Sequence, residues 1–149
     1  MGLEDDIKQA KFADEYEKVA INVLFTGSWL HNLNATHLKP YGVTPEQFNV
    51  LRILRGGHPA KMMLADVTGR MIDKSSNATR LVEKLRQKGF VRREICEQNR
   101  RQVDISITDK GLALLKKIDA ARDGWLGQLK NINRSEAREL NRILDKLRG

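Results

Sequence analysis

Between Ser75 and Gly111 the hydrophobic period of the chain changes from helical to strand-like, and no other segment restricts the fold as much. Ala78, Leu81, Val82 and Leu85 recur at three- and four-residue spacing, which is one apolar stripe on a helix. Asp73-Lys74-Ser75-Ser76 offers caps ahead of it, and Gly89 after Lys88 suits the left-handed position past a helix end. Phe90-Val91-Arg92-Arg93 reads as a short strand. Val103 to Thr108 alternates strictly, as a half-buried strand does. Arg100 and Arg101 stand in the loop between the two strands. A polar-capped helix carrying Ser76, Asn77, Thr79 and Arg80, followed by a basic hairpin, suits duplex DNA. The helix fits a major groove, and the hairpin tip reaches a neighbouring minor groove.

The remaining sequence supplies helices. Residues 5–34 are predicted as one long helix, from the spacing of Phe12, Tyr16, Val19, Ala20, Val23, Leu24, Gly27 and Leu30. From Val19 onward it is apolar on more than one face, so it needs cover on more than one side. In a chain of 149 residues a second subunit is the natural source of that cover. Thr44-Pro45-Glu46-Gln47 is a helix start with a capping box and proline at the first helical position. Met62, Met63, Leu64, Val67 and Met71 suggest a short third helix. After the hairpin, Leu115, Ile118, Arg122, Trp125, Leu129 and Ile132 predict another helix. Asn133 and Glu136 cap a last one, which carries Leu140, Ile143, Leu144 and Leu147 on one stripe. The fold class expected is mainly α with a small β-hairpin wing. Residues 1–149 form one domain, with a winged helix-turn-helix lobe over 38–111 and dimerisation helices over 5–34 and 112–148.

Charge agrees with this division. The chain carries a net +8, yet residues 1–37 hold three lysines against six acidic residues. Residues 62–111 hold eleven basic residues against seven acidic ones. A basic excess that starts after the first helix suits a phosphate-facing surface. No apolar run approaches the roughly 20 residues that span a bilayer. The acidic start (Glu4, Asp5, Asp6) does not read as an export signal, and one cysteine cannot form an intrachain disulfide. A cytoplasmic protein without membrane partners is expected. No nucleophile elbow, phosphate loop or metal-ligand helix is present, and His31, His37 and His58 are not spaced as a ligand pair. No enzyme activity, metal or cofactor is expected.

Several of these segments together resemble the MarR family of bacterial transcriptional regulators. They are Gly42-Val43-Thr44-Pro45-Glu46-Gln47-Phe48, Thr79-Arg80-Leu81-Val82-Glu83-Lys84-Leu85, Lys88-Gly89-Phe90-Val91, Arg100-Arg101, and Ser106-Ile107-Thr108-Asp109-Lys110-Gly111. The resemblance extends to the flanking helices. It implies a homodimer with a winged helix at each lower corner, and repression of transcription relieved by a small ligand or an oxidant. Two positions depart from the family pattern. Asn99 stands where the wing commonly has Asp before its paired arginines, and Cys96 where a polar or acidic residue is usual.

The DNA-binding residues expected are Ser75, Ser76, Asn77, Thr79, Arg80, Lys84, Arg93, Arg100 and Arg101, acting on a double-stranded, pseudo-palindromic operator. Arg80 has the fork geometry for guanine and Asn77 the amide for adenine. Arg100 is assigned to the minor groove and Arg101 to phosphate. A small-molecule effector pocket is expected near Trp29, His37 and Tyr41, at the junction of the long helix with the lobe. Two alternatives stand beside this reading. The lobe can serve as a protein-interaction module for an acidic partner, or Cys96 can make the chain a one-cysteine redox-responsive regulator.

Overall fold

The computed structural model describes residues 2–149. It contains eight α-helices: α1 (Leu3–Asp6), α2 (Glu15–Leu38), α3 (Pro45–Gly57), α4 (Leu64–Arg70), α5 (Ala78–Gln87), α6 (Asp109–Ala120), α7 (Asp123–Leu126) and α8 (Arg134–Arg148). Three short strands, β1 (Met62–Met63), β2 (Val91–Ile95) and β3 (Val103–Ile107), form one antiparallel sheet in the order β1-β3-β2. Among the described residues no helix is long and apolar enough to cross a membrane.

The core lies where α3, α4, α5 and α6 meet the inner face of this sheet. Leu51, Leu54, Val67, Leu85, Ile105, Leu115 and Ile118 are almost wholly buried there, with Leu38 from the end of α2. The capping box of α3 forms as its sequence implies. Thr44 accepts from the Gln47 N–H, and the Thr44 N–H donates to Gln47 Oε1. Thr108 caps α6 by accepting from the Gly111 N–H. Gly111 is required here, because a Cβ would stand 2.4 Å from the Phe90 carbonyl. Gly89 turns the chain from α5 into β2 with φ +80°.

Four expectations need correction. The long helix covers 15–38 rather than 5–34. Asp14 caps it by accepting from the Glu17 N–H at 2.8 Å, and this local start outweighs the apolar spacing of Phe12 with the residues that follow. The third helix begins only at Leu64, because buried Met62 pairs with Ile105 and Met63 with Asp104 as a strand. The second strand runs on to Ile95; only Val91 on it is buried, so side-chain pattern gives no hint of its length. The stretch after the wing is not one helix to Ile132. It breaks after Ala120 into α7 and a 3-10 turn over 127–131, a segment weakened by Gly124 and Gly127. The cap of α8 is as expected, with Asn133 and Glu136 bonded reciprocally.

Candidate nucleic-acid interface

Helix α5 turns Ala78, Val82 and Leu85 into the core and leaves Thr79, Arg80 and Lys84 exposed. Its cap is Asn77, whose Oδ1 accepts from the Arg80 N–H at 3.1 Å. Asn77 is therefore at the helix boundary, and Ser75 and Ser76 lie in the loop before it rather than in the helix. That loop has its own order. Asp73 Oδ1 accepts from both the backbone and hydroxyl of Ser75, and these two bonds hold the Asp73 carboxyl below the usual range. The Ser76 N–H donates to the Asp73 carbonyl. The loop is fixed from behind by Asn49 on α3, whose Oδ1 accepts from the Ile72 N–H at 2.9 Å.

Glu83 links the helix to the wing. It receives two hydrogen bonds from Arg86, at 2.6 and 2.9 Å, and lies 3.9 Å from the Arg93 guanidinium on β2. The Arg86 bonds, with the charges of Arg86 and Arg93, keep the Glu83 carboxyl below its ordinary range against some desolvation. Arg93, one of the residues expected to contact DNA, thus lies beside a carboxylate of α5 while its side chain stays exposed.

The wing tip is closed by its own backbone. The Gln102 N–H donates to the Asn99 carbonyl, and the Cys96 N–H to the Gln102 carbonyl. Asn99 Oδ1 accepts from the Arg101 N–H at 3.1 Å. Asn99 therefore organises the turn through the Arg101 backbone. Exposed Arg100 and Arg101 border different hollows. Arg101 lines one of about 280 Å³ with Met63, Leu64, Ala65 and Val103, and Arg100 lines another with Ile95, Cys96 and Glu97.

At the expected effector site the structure brings His37 and Tyr41 together, with ring centroids 6.0 Å apart, but adds Trp125 rather than Trp29. Trp29 is 42% exposed, two turns earlier on α2. His37 Nε2 and Asn34 Oδ1 are buried without hydrogen-bond partners. Sequence reading had no means of finding Trp125, because the break at Ala121 is what folds α7 back against α2. Among the described residues, no three His, Cys, Asp or Glu side chains group as metal ligands do.

Comparison with known proteins is consistent with this geometry. The MarR family model matches residues 43–103, from just before α3 to the first residue of β3. The chain is 30% identical over 109 residues to the HTH-type transcriptional regulator MgrA of Staphylococcus aureus, covering 73% of this chain and 72% of MgrA. The chain belongs to the MarR family. Its match to the HTH-type regulator YkoM of Bacillus subtilis is 36% over 80 residues, 54% of this chain and 51% of YkoM. The chain thus spans about half the length of that relative, and 48% of PecS of Dickeya dadantii. Two solved MarR-type structures share the fold. One is a mutant of MarR from E. coli complexed with operator DNA (TM-score 0.80, 22% identity, 93% of this chain and 99% of that one). The other is BpsR of Bordetella bronchiseptica (TM-score 0.78, 20% identity, 89% and 100%).

Proposed function

We propose that this MarR-family chain is a cytoplasmic, homodimeric, sequence-specific DNA-binding regulator of transcription, a repressor released by a small ligand. The observation that carries the reading is the division of labour on α5 and the wing. One face of α5 is locked into the core, while Thr79, Arg80 and Lys84 face outward. The wing beside it carries exposed Arg100 and Arg101 at its tip. A helix N-terminus of this kind meets base edges in a major groove, and a narrow minor groove attracts guanidinium groups. The fold neighbour solved on operator DNA supports the same use of the lobe.

Dimerisation is supported by apolar surface that this chain alone leaves open. Tyr16 is 85% and Leu24 74% exposed on α2, and Leu140, Ile143 and Leu147 form an exposed stripe on α8. An effector is supported by the unpartnered His37 Nε2, whose ring lies beside Tyr41 and Trp125, and by the unpartnered Asn34 Oδ1 earlier on α2, since a buried polar atom without a partner is costly. The BpsR structure concerns regulation of DNA binding by 6-hydroxynicotinic acid.

The test is selection of duplexes from a random pool by the purified chain, followed by affinity against salt. Each phosphate neutralised adds about −0.9 to the log–log slope. A pseudo-palindromic duplex whose affinity falls steeply between low and physiological salt is expected. Failure to enrich any duplex, or a flat salt response, would reject DNA binding and leave the acidic-partner reading.

A further inference from the structure

Ile72 is 88% exposed, more than any other large hydrophobic side chain among the described residues. A single exposed apolar residue is ordinary on a protein surface, so exposure alone carries little. The backbone of Ile72, however, is held at a fixed place. Its N–H donates to Asn49 Oδ1 at 2.9 Å, and the preceding Met71 is buried in the core. The residue that follows it, Asp73, is engaged by Ser75 and Ser76. That loop leads straight into the Asn77 cap and Arg80. Exposed Arg70 and Lys74 stand two residues to either side of Ile72. An apolar side chain is therefore pinned outward, with Arg70 and Lys74 two residues away on either side and Asp73 next to it, on the approach to the recognition helix.

We infer that Ile72 is a specificity-determining DNA contact that reads the 5-methyl group of thymine, and that Asn49 is the positioning residue that aims it. The inference rests on the DNA-binding reading of the lobe. Among the four bases only thymine presents a methyl group in the major groove, and apolar side chains recognise it by contact. Of the polar side chains nearby, Ser75, Asn77 and Arg80 have no methyl group to meet it, and Thr79 has a single one on the helix. Ile72 supplies the one chemistry that Ser75, Asn77 and Arg80 lack.

Replacing each thymine of the selected duplex by deoxyuridine, one position at a time, removes only the methyl group. The wild-type chain should lose about fourfold in affinity at one thymine per half-site, the effect of one methyl group no longer buried. Ile72→Ala should bind the parent duplex about that much more weakly and show no further loss at the same deoxyuridine. Ile72→Val, which keeps a β-branched apolar surface, should retain most of the loss. Asn49→Ala should blunt the methyl penalty with Ile72 still present, and Asn49→Asp, which keeps an acceptor for the Ile72 N–H, should restore it. Thermal melting of each variant separates loss of contact from loss of fold. If no duplex is enriched at all, the DNA-binding reading fails. If a duplex is enriched but wild type and Ile72→Ala give the same deoxyuridine profile, this inference alone is overturned. An Asn49→Ala profile identical to wild type removes the positioning role.

Discussion

The lobe and the helices that flank it solve the burial problem in opposite ways. Helix α5 has ten residues and buries three of them, while α2 has 24 and buries only Leu38, its last. Helix α8 buries none of its fifteen. Yet α2 and α8 do not lack apolar residues; they hold most of the exposed ones. The lobe is packed by its own chain. The flanking helices leave apolar surface open, and under the proposed function a second copy covers it.

Substitutions on the two sides should break this contrast differently. Leu85→Ala, at a wholly buried site, should cost about 2–5 kcal/mol in denaturant unfolding. Because α5 depends on its own lobe, that loss should not vary with protein concentration. Glutamate at Val23 or Leu144 should instead dissociate the dimer, halving the sedimenting mass at micromolar concentration while helical content is largely retained. A wild-type chain that already sediments as a monomer would remove the contrast.

Within the lobe, Arg80→Ala should cost about 1–3 kcal/mol of DNA affinity and relax preference at one base in each half-site. Arg101→Ala should weaken all duplexes about equally and make the salt slope shallower. Identical specificity profiles for both variants and wild type would erase the division between helix and wing. The smallest effect belongs to Cys96→Ser, which should leave operator affinity and its response to peroxide unchanged. Half-buried Cys96 has no second cysteine in the chain to resolve an oxidised sulfur. Release of DNA by peroxide in wild type alone, reversed by a reductant, would show a one-cysteine switch.

What the sequence made legible was local. The caps at Thr44, Thr108 and Asn133 stand where their side chains are written, because each bonds within three residues of itself. Gly89 and the alternation of β3 were legible for the same reason. Asp14 and Asn77 cap just as locally but were masked by competing signals beside them, and most other misses needed partners distant in sequence. Met62-Met63 is a strand only because Ile105 and Asp104 lie opposite, and a two-residue strand has no period to detect. Trp125 joins His37 across the fold. Arg93 resembles any wing cation until Glu83 of the recognition helix is placed beside it. Asn49 and Ile72 carry no motif, and only their hydrogen bond relates them. At the proposed DNA face the residue types could be named in advance, but not which of them have a neighbour such as Glu83 beside Arg93.

The strand order β1-β3-β2 has a mechanical meaning. The chain leaves the sheet at β1, runs through α4 and α5, and returns to the same central strand at β2. The reading helix is thus the arc of a closed ring whose clasp is the wing. A ring clasped in this way does not flex one finger at a time. Helix and hairpin are tied to each other through the ladder bonds of β3. If the proposed dimer and effector hold, the spacing of two such lobes is the quantity for an effector to alter.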